Sequence, residues 1–238
     1  MASTASASAR PIGPIGSSVA SDLARFAGLL ADQTRTEILC ALMDGRAHTG
    51  SELARHVGVA PSTTSEHLSK LLDGGVVAVE AQGRHRYWRL ADRSTAELLE
   101  HLGASASPLG APAAPAGLRH ARTCYDHLAG ELAVAIYERM VADGHLVPED
   151  DRVVFGPSGY ELLAGIGGDP DAVRAARRPT ARACLDWTQR RHHLAGAAGT
   201  AFLDALLAND WIRRGTRPRS VMVTERGRVE IRAAFRLG

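Results

Sequence analysis

Cysteine is scarce in this sequence: three among 238 residues, Cys40, Cys124 and Cys184, an odd and widely spaced set. That excludes a secreted framework closed by disulfides and points to a reducing compartment, the cytoplasm, with the thiols available for chemistry. Long hydrophobic runs are missing as well. No stretch approaches the roughly 18 apolar residues of a membrane-spanning helix, and the N-terminus lacks the charged-then-apolar order of a secretory signal. A soluble chain with no membrane partner is expected. An excess of one charge is also absent: 28 Lys and Arg against 26 Asp and Glu leave +2, too little to diagnose a polyanionic partner from net charge. No cysteine sits in a motif that orients a base toward an activated thiol, so nothing announces an enzyme.

What remains is length enough for two modest domains, each with its own core. Residues 1–17, MASTASASARPIGPIGS, have no period that buries a face and read as a disordered tail. Ser105 to Gly117 carries three prolines and no charge, which marks 104–117 as a semi-stiff linker between units at 18–103 and 118–238. In the first unit Val19, Leu23, Phe26, Leu29 and Leu30 recur at helical spacing. Thr34 to Glu37 and Thr49 to Glu52 read as capping boxes, and Gly58 and Asp73-Gly74-Gly75 as helix stops. The period then becomes alternating, with VVAVEA, the turn pair Gln82-Gly83 and RHRYWRL forming a hairpin, before helix returns over 94–102. The expected class is mainly α with small β-hairpins, an α+β fold.

Two short helices joined by a tight Gly-containing turn and followed by a basic hairpin form a winged helix-turn-helix. The helix after Pro61 would offer Ser62, Thr63, Thr64, Ser65, His67 and Lys70 to phosphates and base edges. The hairpin adds Arg84, His85, Arg86 and Arg89 where a wing meets the DNA backbone. Residues 18–103, with LLADQTRTEILCALMDG, SELARHVGVAPSTTSEHLSKLLDGGVV and EAQGRHRYWRL, resemble the ArsR/SmtB family of winged-helix transcriptional repressors. That resemblance implies a homodimer built on the first and last helices, a recognition helix at Ala60 to Lys70, a wing tip at Gly83, and a double-stranded operator with two-fold symmetry. There is also a departure. Where many members carry a thiolate pair this chain reads RAHTGSEL, with His48 and no cysteine, and the closing helix offers only Glu97 and His101. The customary metal positions are therefore empty, and Cys40, among Ile38, Leu39 and Leu42, is expected in the core.

Beyond the linker the sequence echoes itself. HLAGELAVAIYERMVADGHL from His127 matches HLAGAAGTAFLDALLANDWI from His193, and each is followed by a short β-like run and a helix, suggesting a helical domain of two related helix-plus-hairpin units. This half resembles the C-terminal extension of certain actinobacterial members of the same family. A helix from Leu118 would align His120, Cys124, His127 and Glu131 on one stripe, a ligand set for a zinc-like transition-metal ion. Read as helix, Cys184 and His193 point to opposite sides and share no ion, although Cys124, Cys184 and His193 remain candidates for a thiol-based effector site. Arg174, Arg177, Arg178, Arg182, Arg190 and Arg191 form a basic run for an anionic ligand or DNA. Tyr125, Phe155, Trp187 and Trp211 are candidates to line an apolar pocket. The expectation is a dimeric repressor released from its operator by a metal ion or thiol-reactive signal sensed in 118–238. A small-molecule-responsive repressor, or a Cys/His enzyme with a winged-helix interaction module, are the alternatives.

Overall fold

The computed structural model describes residues 17–106, 116–149 and 152–238; residues 1–16 of the expected tail and 107–115 of the expected linker lie outside them. The first half runs α1 (Ser17–Leu30), α2 (Gln33–Leu42), β1 (His48–Thr49), α3 (Gly50–Val57), α4 (Pro61–Asp73), β2 (Val77–Gln82), β3 (His85–Leu90) and α5 (Arg93–Ala106). Strands β1, β3 and β2 form one antiparallel sheet in that order. Gln82 pairs with His85, leaving a two-residue turn at Gly83-Arg84. Ile38, Leu42, Leu53, Leu68, Leu71, Trp88 and Leu90 close one core.

The Thr49/Glu52 capping box is present in both directions, and Gly58 ends α3 at φ 72°. The box expected at Thr34 is not. Asp32 caps α2 by accepting from the Arg35 N–H, two residues upstream, and the Thr36 hydroxyl donates to Leu30 O. Cys40 is exposed rather than in the core. It lies two positions from buried Ile38, about 200° around the helix from it, so its apolar sequence neighbours sit on the opposite face. Helix α5 continues to Ala106, into the stretch read as linker.

The second half repeats a hairpin–helix–hairpin–helix unit. Its first copy comprises β4 (Arg122–Cys124), β5 (His127–Ala129), α7 (Glu131–Ala142), β6 (Leu146–Glu149), β7 (Arg152–Phe155) and α8 (Pro157–Gly165), preceded by α6 (Ala116–His120). After α9 (Pro170–Ala175) the second comprises β8 (Arg182–Leu185), β9 (His192–Ala195), α10 (Gly196–Ala208), β10 (Ile212–Arg214), β11 (Val221–Val223) and α11 (Glu225–Ala234). The two copies interlock, α7 packing on β9 and α10 on β5. At the same place in each, Gly130 and Gly196 adopt φ 94° and 88°. A Cβ there would meet backbone oxygens at 2.8 Å in both cases, so glycine is required for the sharp entry from hairpin to helix.

The expected helix carrying His120 through Glu131 is thus two short strands with a turn at Tyr125, which has φ 57°. Every residue of β4 and β5 is buried, so no alternation marked them as strands. The four aromatics do not share a pocket. Tyr125 packs on the first-half core, Phe155 contacts Tyr160 and Phe202, and Trp187 lies under Arg122. A cleft of about 420 Å³ is walled instead by Leu132, Ala135, Val223 and Ile231, with Arg228 and Arg232. Among the described residues no helix is long and apolar enough to cross a membrane.

Candidate metal centre and DNA-reading edge

Helix α4 presents Ser62, Ser65 and Lys70 to solvent, with Thr63 partly so. Thr64 does not belong to this face: it is buried and its hydroxyl donates to Ala60 O. His67 is turned inward, its Nδ1 3.6 Å from Asp32 at the start of α2. The 3.6-residue period explains both, since Thr64, His67, Leu68 and Leu71 fall on the side that meets the core. In the hairpin, Arg84, His85, Arg86 and Arg89 are all exposed, a compact cationic tip beside α4.

The second half holds a different constellation. Cys124 and His127 are register partners on β4 and β5, and Cys184 and His193 are register partners on β8 and β9. Each hairpin therefore delivers one thiol and one imidazole from adjacent positions, and the two hairpins meet. One ligand atom from each of the four residues lies within 4.8 Å of the others, and all four are buried. The sulfurs are 3.9 Å apart and the two Nε2 atoms 3.1 Å apart. Around a tetrahedral ion with bonds of about 2.3 Å to sulfur and 2.0–2.1 Å to nitrogen, those separations are about 3.8 and 3.4 Å. The thiol pair and the imidazole pair are thus each spaced nearly as in a four-coordinate Cys₂His₂ site.

The rear of each imidazole faces a carboxylate. His127 Nδ1 is 3.3 Å from Asp126 Oδ1, and His193 Nδ1 is 3.8 Å from Asp186 Oδ2. The hydrogen bond to Asp126 leaves His127 Nε2 as the nitrogen free to ligate. Asp186 is buried and accepts from Arg122 at 2.9 Å, from the Gly130 N–H at 2.7 Å, and from Thr188. Burial alone would raise its pKa, but Arg122 and these donors outweigh it and hold the carboxyl at about 2. Burial pushes the Cys124 thiol well up. The thiol hydrogen bond from Cys124, aided by both imidazoles, draws Cys184 well down against burial. Burial likewise opposes the charge on His127, yet Asp126 and Cys184 outweigh it and raise its pKa, whereas burial prevails at His193 and lowers it.

The ligand set read from sequence is therefore corrected in half its members. Cys124 and His127 belong, but His120 and Glu131 stand at the surface, 3.5 Å from each other. Cys184 and His193 join the centre, because they lie on facing strands and not on one helix. The basic run is dispersed into internal pairs: Arg178 with Asp126, Arg182 with Glu97, Arg191 with Glu138, and Arg174 with Asp171 and stacked on Tyr160. Asp126, Asp186 and Arg122 went unnoticed in the sequence. Extending the echo upstream would have exposed them, since Arg122-Thr-Cys-Tyr-Asp126 and Arg182-Ala-Cys-Leu-Asp186 share the pattern Arg-x-Cys-x-Asp.

Comparison with known proteins gives matches of different reach. A model of bacterial regulatory proteins of the arsR family matches residues 32–79. The chain is similar to the HTH-type transcriptional regulator YdfF of Bacillus subtilis (strain 168), 39% identical over 213 residues, 87% of this chain and 94% of that protein. That similarity extends through both halves. Over 76 residues it is 34% identical to a probable mercury resistance operon repressor of Streptomyces lividans, covering 32% of this chain and 60% of that protein. Among solved structures it is similar to the cadmium metal-sensor CMTR of Mycobacterium tuberculosis, 42% identical over 34% of this chain and 79% of that one, with a TM-score of 0.28.

Proposed function

This chain belongs to the ArsR family of bacterial regulatory proteins, and from that premise we propose that it is a cytoplasmic, dimeric repressor that releases a two-fold symmetric operator when a soft transition-metal ion binds its second half. Its relatives are regulators of transcription and not enzymes. Residues 18–103 form the DNA-binding and dimerisation unit, with Ser62, Thr63, Ser65, Lys70, Arg84, His85 and Arg86 at the DNA. Residues 118–238 form the sensing unit. The observation that carries the reading is the convergence of Cys124, His127, Cys184 and His193 in one buried pocket. Thiolate and imidazole suit zinc, cadmium and cobalt over magnesium or calcium, and four protein donors leave no open position for catalysis. The naming of one relative for mercury resistance supports a soft-metal effector for this chain.

Seating an ion requires the proton between the two Nε2 atoms and the thiol protons to leave, so affinity rises with pH. The test measures metal content and operator binding on one preparation of the full chain, with a duplex selected from random DNA. Zinc or cadmium should bind at one ion per chain with better than micromolar affinity and weaken DNA binding by tenfold or more. Cys124→Ser with Cys184→Ser should abolish both effects and keep metal-free DNA binding. Stoichiometric metal with no change in DNA affinity would sink the sensor reading. The 3.9 Å sulfur separation supports a second reading, in which a peroxide oxidises the two thiols to a disulfide and is itself reduced to water. Thiol titration before and after mild peroxide, with operator binding read in parallel, distinguishes the two.

A further inference from the structure

Three charged residues at i, i+4 and i+7 of α5, Arg93, Glu97 and Glu100, lie on one stripe of that helix, and each reaches into the second half. Arg93 Nη2 donates to Asp126 Oδ1 at 2.5 Å. Asp126 is the residue before His127, and the same oxygen faces His127 Nδ1. Glu97 Oε2 pairs with Arg182 Nη1 at 2.7 Å, and Arg182 stands two residues before Cys184 on β8. Arg93 Nε and Glu97 Oε1, 3.3 Å apart, join these two grips on α5 itself. Glu100, buried, pairs with Arg219 at 2.5 Å, and Arg219 Nε donates to Thr123 O beside Cys124. Each hairpin that supplies a thiol and an imidazole thus also holds α5, one through Asp126 and the other through Arg182.

The inner side of α5 is equally committed. Ala96 and Leu99 are buried in the core that also holds Leu68 and Leu71 of α4. Ala96 and Glu100 wall a small cavity whose other side is Cys124, His127 and Cys184. Helix α5 thus touches both the donor pocket and the packing that seats the recognition helix.

We infer that the Arg93–Glu97–Glu100 stripe is the surface through which occupation of the Cys/His centre sets the position of α5, and with it the recognition helix. The inference rests on the reading that the centre binds a metal. An ion held by four donors draws the two hairpins onto a common point and fixes the spacing between Asp126 and Arg182. Those two residues grip partners one helical turn apart on α5, so a change in their spacing shifts or tilts the helix. Differential contacts of this kind in two states are what a coupling between sites requires. The half-buried positions of Arg93, Asp126, Glu97 and Arg182, each 25–35% exposed, leave the pairs less screened than surface ones.

The test uses the full chain, zinc as probe, and two readouts: zinc affinity by chelator competition, and operator affinity with and without saturating zinc. Arg93→Gln with Glu97→Gln should keep zinc affinity and metal-free operator affinity within about threefold of wild type. The ratio of operator affinities without and with zinc, about 5–150-fold for typical coupled sites, should collapse to below about threefold. The charge-swapped pair, Glu97→Arg with Arg182→Glu, should restore the ratio that either single reversal loses, with zinc affinity and metal-free operator affinity within about threefold of wild type throughout, where a purely structural role would lower those affinities in the single reversals. A wild-type ratio in the Gln variant, or no rescue by the swapped pair, overturns the inference and leaves the sensor reading standing. Wild-type protein whose operator affinity ignores bound zinc overturns both.

Discussion

Arg122 has the most demanding surroundings of any single residue in the second half. Its side chain is wholly buried, donating to Asp186, Thr188 Oγ1 and Leu118 O with the guanidinium over the Trp187 ring. Replacing it with methionine leaves the Asp186 charge buried without its cation, a change that costs about 3–5 kcal/mol when one member of such a pair is removed. Urea denaturation should show that loss, and a change under 1 kcal/mol would mean the pair is not formed in solution. Asp186 adds a pH signature. Its folded pKa of about 2 lies below the ordinary 3.8, so its contribution is complete above about pH 4 and is lost as pH falls toward 2. The shift corresponds to about 2 kcal/mol. Asp186→Asn should be less stable near neutral pH and should lack that acid-side slope, which parallel denaturation curves at pH 4 and 2.5 would test.

Elements decide how the protein meets DNA. Helix α4 begins with Pro61 at its first turn and no side-chain cap, so its free N–H groups are available to a phosphate. The β2–β3 hairpin carries exposed cations, Arg84 in its turn and Arg86 and Arg89 on β3. Arg84→Ala with Arg86→Ala should weaken operator binding and reduce the slope of log K against log salt by about 0.9 for each phosphate left without its cation. An unchanged slope would remove the wing from the interface. Helix α3 offers a structural control. Thr49→Ala removes the side-chain arm of its capping box, the Oγ1 that accepts from the Glu52 N–H, and should cost about 1 kcal/mol of stability without altering the salt slope.

At the scale of the molecule, the single chain leaves an apolar face exposed on α1 and α5. Val19 and Leu23 of α1 and Leu98 and Leu102 of α5 are 41–63% exposed, an apolar face of the kind a second copy covers. Leu23→Glu with Leu98→Glu should therefore shift the protein to monomer in sedimentation and lower operator affinity. A dimer that persists would place the interface elsewhere. At the Cys/His centre, an ion that binds only the folded chain would stabilise it by mass action. Zinc at about 100 times its Kd should add about 2.7 kcal/mol to wild type and nothing to Cys184→Ala.

The sequence alone determined the winged helix-turn-helix, because its helices and hairpin are long enough for period, caps and turn residues to agree: Thr49 with Glu52, Gly58, and the alternation across Gln82-Gly83. It also showed the echo at HLAG. It misplaced Thr64 and His67, whose polarity suggested a reading face while the helical period turned them inward. It divided the four residues of the centre between two candidate sets because β4, β5, β8 and β9 are only three or four residues each and largely buried, too short for any period to register. The tertiary structure decided what four scattered residues amount to. Two hairpins more than fifty residues apart each place a thiol opposite an imidazole, and only the interlocking of the two repeats, α7 on β9 and α10 on β5, brings the pairs face to face beneath α5.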